Sequence, residues 1–158
     1  MKLHNDNLIF SPSDLILFLE SPFASWMEHF SLISPEALDF KDQDDAMMLM
    51  LQDKGAEHES SVLEGLKRQG LTIEDIGLSS DKKAATIQAM KEGADVVFQA
   101  CLSQDQFTGF ADFLVRVPGS SQLGDYHYEI WDTKLSKSLQ PYYTIQLCCY
   151  QEMIAAIQ

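Results

Sequence analysis

Residues 128–153, YEIWDTKLSKSLQPYYTIQLCCYQEM, place polar groups on segments that otherwise read as core. Asp132 and Lys134 are opposite charges one residue apart at the end of a strand-like run. Gln146 and Tyr150 sit one turn apart on a largely apolar helical run. Further upstream, FTGFADFLVRV embeds Asp112 in a second strand-like run. Side chains alternate along a strand, so Tyr128, Ile130, Asp132 and Lys134 share one face, as do Phe110, Asp112, Leu114 and Arg116. If the two strands pair as a hairpin with their apolar members inward, Asp112 and Asp132 meet. Two close carboxylates repel and lose hydration, and a divalent cation relieves both penalties. Lys134 beside them could orient a water and stabilise developing negative charge. The same Asp-x-Lys spacing also suits an inert ion pair at a sheet edge. Gln146 and Tyr150 equally suit a hydrogen-bonded Gln and a packed Tyr.

One more titratable group belongs with these. In LQDKGAEHESSVLEGL, the positions Leu51, Gly55, His58, Val62 and Leu66 form a helical stripe, so His58 is expected to point inward. A histidine there is either satisfied in the core or a metal ligand, and Gly55 one turn earlier leaves room for close approach.

The elements that must position these residues can be read from breaks and periodicity. Helix is expected over 11–33, capped by Ser11 or Ser13 with Asp14 in the first turn and interrupted at Pro22. Pro35 and the acidic stretch to Asp45 read as a loop. A long helix follows over roughly 43–69, ended by Gly70. LTIEDIG reads as a short strand and DKKAATIQAMKEG as a helix stopped by Gly93. DVVFQACL, FTGFADFLVRV and YHYEIWDTKL then read as three consecutive antiparallel strands, with SQDQ and PGSSQLGD as their turns. Residues 139–158 return to helix, with Pro141 tolerated in the first turn. The expected architecture is a single α/β domain in two or three layers.

The 158 residues suffice for one domain with a sizeable core, and 46% hydrophobic content argues against disorder. No apolar run approaches the ~20 residues that span a bilayer, and MKLHNDNLIF has no apolar signal core. Cys101, Cys148 and Cys149 have neither metal-ligand spacing nor an even disulfide count, as expected of reduced packing cysteines in a cytoplasmic protein. The net charge of −13 argues against a nucleic-acid partner, because phosphate binding leans on Lys and Arg.

Taken together, His58, the GFAD ending in Asp112, Asp132-Thr133-Lys134 and the QLCCY from Gln146 to Tyr150 resemble the RecB-like branch of the PD-(D/E)XK nuclease superfamily. That branch is marked by a helical His, a Gly-x-x-Asp, an (Asp/Glu)-x-Lys and a Gln-x-x-x-Tyr in this order. The run 128–153 is most similar to RecB-like nuclease domains that precede a ribonuclease-H-like segment and a helicase in longer chains. The resemblance covers about residues 8–158 and lies in the conjunction of weak elements.

The resemblance implies a restriction-endonuclease-like core, a mixed sheet between helices with a helical N-terminal part. It implies Mg²⁺ or Mn²⁺ held by His58, Asp112, Asp132 and the Thr133 carbonyl. Lys134 would activate the water that attacks a phosphodiester, and Gln146 and Tyr150 would orient the lysine and the DNA backbone. DNA, single-stranded or at an end or flap, would be the substrate in repair or recombination, and a helicase-type segment a neighbour in the chain or a partner. A silent nuclease-like module that binds DNA or a protein is the alternative, as is an acidic interaction domain with fortuitous spacing. Ser21 stands where cluster-bearing relatives have a cysteine, so no iron–sulfur cluster is expected. The final helix lacks a stop signal, which leads one to expect a longer polypeptide that supplies a basic groove. Residues 36–59 hold eight Asp or Glu against two Lys, whereas 116–137 hold Arg116, Lys134 and Lys137.

Overall fold

The structure, a computed structural model, describes residues 1–40 and 45–158. The sequence reading assigns no element to residues 1–10, but a hairpin forms there from β1 (Lys2–His4) and β2 (Asn7–Ile9). Its turn residues Asn5 and Asp6 both have positive φ, 48° and 60°, which these two side chains tolerate. Phe10 then pairs with the start of a later strand, giving its N–H to Gln106 and accepting from the Thr108 N–H, both at 2.8 Å.

Pro22 divides the expected first helix into α1 (Pro12–Glu20) and α2 (Pro22–Ile33). Ser11 caps α1 in a reciprocal box with Asp14, and Ser21 both ends α1 and caps α2. The chain passes through a 3₁₀ turn at Pro35–Phe40. The rest of the expected acidic loop, with the first residues assigned to the long helix, falls on 41–44, outside the described residues. The long helix α3 runs Ala46–Arg68 with Asp45 as its cap, and Gly70 takes φ +80° just beyond its end. Strand β3 (Ile73–Asp75) and a 3₁₀ turn (Ile76–Leu78) lead to α4 (Lys82–Glu92), which ends at left-handed Gly93.

Three long strands follow: β4 (Val96–Gln104), β5 (Phe107–Ser121) and β6 (Gly124–Trp131). The first turn is Asp105-Gln106, the latter half of the expected SQDQ, whose Ser103 and Gln104 still pair within β4. The second is only Gln122-Leu123, because β5 continues through Pro118-Gly119 by way of a bulge instead of ending there. Strand β6 also ends earlier than expected, so Asp132 and Lys134 lie beyond it and not on its face. Helix α5 (Pro141–Ala155) completes the chain.

The sheet order is β3-β4-β5-β6, with β3 and β4 parallel and the other pairs antiparallel. The chain is therefore a mixed α/β fold around a four-stranded mixed sheet, in three layers. On one face α4 and α5 bury Met90, Met153 and Ile154 against Val97, Leu102, Leu114 and Tyr128. On the other, Leu63 and Leu66 of α3 cover Val96, Phe113 and Val115. The first turns of α3 stand clear of this core, with Met47 through Leu51 all about half exposed. No helix of the described residues is long and apolar enough to cross a membrane.

Thr86 on α4 is a fully buried polar residue that ties a helix to the sheet. Its hydroxyl donates to the Lys82 carbonyl at 2.8 Å and accepts the Cys101 N–H at 2.9 Å. Thr86→Val keeps the shape and leaves that N–H without its partner, so it is expected to cost about 1–3 kcal/mol. Urea denaturation measures this, and a loss within ~0.3 kcal/mol of zero would contradict the role.

Candidate active site

The β5–β6 register pairs Phe113 with Trp131, so the next opposed residues are Asp112 and Asp132. The ladder stops there because the Thr133 N–H turns to the Asp112 carboxylate, 2.8 Å away, and the Thr133 hydroxyl adds a second bond at 3.1 Å. The chain leaves the sheet at this point, and Lys134 folds back so that its Nζ lies 2.5 Å from Asp132 Oδ2. The same ammonium stands 5.5 Å from the centre of the Tyr143 ring. The Asp132 side chain is only 4% exposed.

Helix α5 reaches the site from one side of the sheet. Gln146 Nε2 lies 3.4 Å from both Asp132 Oδ1 and the Tyr150 hydroxyl, and that hydroxyl donates to the Phe110 carbonyl at 2.7 Å. Gly109 makes this approach possible, since a Cβ there would stand 2.7 Å from the Tyr150 ring and 3.1 Å from Pro12. Burial, the main cause, pushes the Tyr150 phenol above its usual range.

Helix α3 reaches the site from the other side, but not through His58. The imidazole expected to point inward is exposed, and Glu59 takes the inward position, half-buried. Leu63 and Leu66, the buried residues of α3 on the sheet, with Val62 partly buried beside them, fix the helix phase, and Glu59 lies one turn before Leu63. Glu59 Oε2 accepts a hydrogen bond from Gln99 Nε2 at 2.7 Å. Burial raises its carboxyl above the usual range, and the Asp112 and Asp132 charges push the same way, against Gln99 and Lys134. Asp132 is raised too, first by burial and then by Asp112, against the Lys134 hydrogen bond. Its protonated form is further favoured by a hydrogen bond to Asp112.

The structure thus brings Asp112, Asp132, Thr133, Lys134, Gln146 and Tyr150 together, adds Glu59, and leaves His58 outside. Sequence reasoning missed Glu59 and Gln99. Three carboxylates face one ammonium, a net of two negative charges when all are ionised. Among the described residues, no three His, Cys, Asp or Glu side chains already stand in a group that could hold a metal ion. The donor chemistry nevertheless suits a hard divalent cation: carboxylate oxygens, partly desolvated and mutually repelling, with an ammonium already drawn to one of them. No protein-family model, curated protein or solved structure matches the chain.

A raised folded-state pKa means that the folded chain holds a proton where the unfolded chain has lost it. Glu59 therefore adds stability at low pH that is lost as pH rises from its ordinary value near 4.5 through the raised one. Glu59→Gln, which keeps an acceptor for Gln99, is expected to melt above wild type at neutral pH in metal-free buffer. The gap should close as pH falls below about 4. Thermal melts across pH measure it, and a gap that widens toward low pH would contradict the assigned electrostatics.

Proposed function

We propose that this chain is a metal-dependent phosphodiesterase acting on DNA, a RecB-like nuclease domain on a restriction-endonuclease-like core. The observation that carries the reading is Asp112 and Asp132 brought together with Lys134, with Glu59 near enough for its carboxyl to feel both aspartate charges. Glu59 comes from α3, Asp112 from β5, and Asp132 with Lys134 from the segment leaving β6. The sheet order and the helices on both faces are compatible with the proposed core.

In this proposal Glu59, Asp112 and Asp132 hold Mg²⁺ or Mn²⁺, with the Thr133 carbonyl as a further oxygen donor. Glu59 takes the role that the resemblance gives to His58. The cation would supply charge neutralisation and Lewis-acid polarisation of a phosphoryl oxygen. Lys134 would orient the water that attacks phosphorus and stabilise charge on the phosphate. The water's proton passes to solvent, and the P–O bond to the leaving sugar oxygen breaks with that oxygen taking a proton from solvent. Gln146, bridging Asp132 and Tyr150, keeps the carboxylate and the phenol in register. Tyr150 is buried and anchored on the Phe110 carbonyl, so it acts by holding Gln146 and α5 in place and not by touching the DNA backbone. Lys82 lies 5.2 Å from the centre of the Phe110 ring, which adds a second cation on this side of the sheet.

The overall charge of −13 opposes DNA at long range. Affinity in this reading therefore rests on the few local cations, the bound metal, and basic surface supplied by a helicase-type segment or partner.

Mn²⁺ or Mg²⁺ is expected to raise the melting temperature of the wild type by mass action, and Asp112→Asn or Asp132→Asn to abolish the shift. Equal metal binding by wild type and both variants in calorimetry would sink the metal site. Lys134→Ala should keep most metal affinity and lose about 10²–10³ in cleavage rate of a DNA substrate. Cleavage within a few-fold of wild type would remove Lys134 from the chemistry.

A further inference from the structure

We propose that Gln99 is a positioning residue for Glu59, held in an unfavourable backbone conformation so that its amide can fix the carboxylate. The inference rests on the reading of Glu59 as a metal-holding residue.

Four residues other than glycine have positive φ among the described residues: Asn5, Asp6, Gln99 and Asp105. Three of them are Asn or Asp in tight hairpin turns, where the geometry requires the conformation and the side chain tolerates it. Gln99 is different. It lies in the middle of β4, at φ +54°, with Phe98 and Ala100 paired on either side of it. Its opposite number on β5 is Asp112, and this pair is missing from the ladder. The register is the same on both sides, Phe98 with Phe113 and Ala100 with Ala111, so no residue has been inserted. Neither a turn nor a bulge in count accounts for the strain.

The conformation has two consequences. It shifts the alternation of side chains, so that Val97 and Ala100, three positions apart, both face the α4–α5 core. It also accompanies a 2.7 Å hydrogen bond from the Gln99 amide to Glu59 Oε2, between residues 40 positions apart. The alternation shift concerns the backbone and needs no particular side chain. A glycine would make it with less strain. A residue with a Cβ and a long amide is explained by the second consequence. Backbone strain retained where a less strained residue would serve the fold is characteristic of functional sites.

The chemistry of the amide fits this role. Gln donates a hydrogen bond without carrying charge, so it orients Glu59 while leaving the cluster negative. A lysine or arginine in the same place would cancel the charge that draws a cation. Outer partners that orient carboxylate ligands typically contribute 10–100-fold to metal affinity or activity.

The test is Mn²⁺ affinity by calorimetry, with thermal melts, for wild type, Gln99→Gly, Gln99→Ala, Glu59→Gln and the double variant Glu59→Gln/Gln99→Gly. Both single changes at Gln99 are expected to weaken Mn²⁺ binding about tenfold or more. Gln99→Gly should melt above Gln99→Ala, because glycine alone is at ease at φ +54°; stability and affinity then separate. In the double variant, Gln99→Gly should add no further loss of affinity to that of Glu59→Gln. Weaker binding by Glu59→Gln alongside wild-type binding by Gln99→Gly would overturn the inference and leave the metal site standing. A loss from Gln99→Gly that persists in full without Glu59 would overturn it too, since the effect would then not pass through that carboxylate. Wild-type binding by Glu59→Gln would instead remove the premise, and the inference with it.

Discussion

Asp112 accepts both the N–H and the hydroxyl of Thr133, and this clamp decides where the β5–β6 ladder ends. With the Thr133 N–H drawn to a side chain, the strand cannot continue, and the chain turns away immediately after Trp131. That turn sets Asp132 beside Asp112 in a nearly dry position and leaves Lys134 free to fold back on it. Burying a carboxylate among others is unfavourable unless something compensates. Here one lysine, the amides of Gln146 and Gln99, and the Thr133 donors compensate in part. The remaining negative charge is the physical basis of the proposed cation site.

The surroundings hold this arrangement from three directions. Tyr150 reaches the Phe110 carbonyl over Gly109, where a side chain would be blocked, and so fixes α5 against β5. Thr86 joins α4 to Cys101, two residues beyond Gln99. Leu63 and Leu66 seat α3 on the opposite face and thereby aim Glu59. Each contact is modest alone. Together they allow a strained Gln99 and a set of repelling carboxylates to persist in an otherwise ordinary α/β fold.

Much of the fold was legible because its punctuation is chemical. Ser11, Pro22, Gly70 and Gly93 begin, break or end helices for reasons visible in the residue itself, and the three long strands carry β-branched and aromatic runs. The meeting of Asp112 with Asp132 also followed from pairing the two strands. What was not legible depends on phase. His58 and Glu59 differ by about 100° around a helix, and the stripe chosen through Leu51 included a residue that packs on nothing in the core. The pair Leu63 and Leu66 would have given the right face. The alternation shift at Gln99 has no signal in the sequence, since glutamine is not a residue that marks irregular backbone. The early end of β6 was hidden because a Thr N–H bonding to a side chain reads no differently from one bonding to a strand.

The central claim is that Glu59, Asp112 and Asp132 form one electrostatic unit. Carbon-detected NMR titration of the side-chain carboxyls tests it directly, in metal-free wild type and in Asp112→Asn. The account predicts that Glu59 and Asp132 both titrate above the usual carboxylate range, and that both move down when the Asp112 charge is removed. Ordinary titration of both groups in the wild type, unchanged by Asp112→Asn, would contradict it.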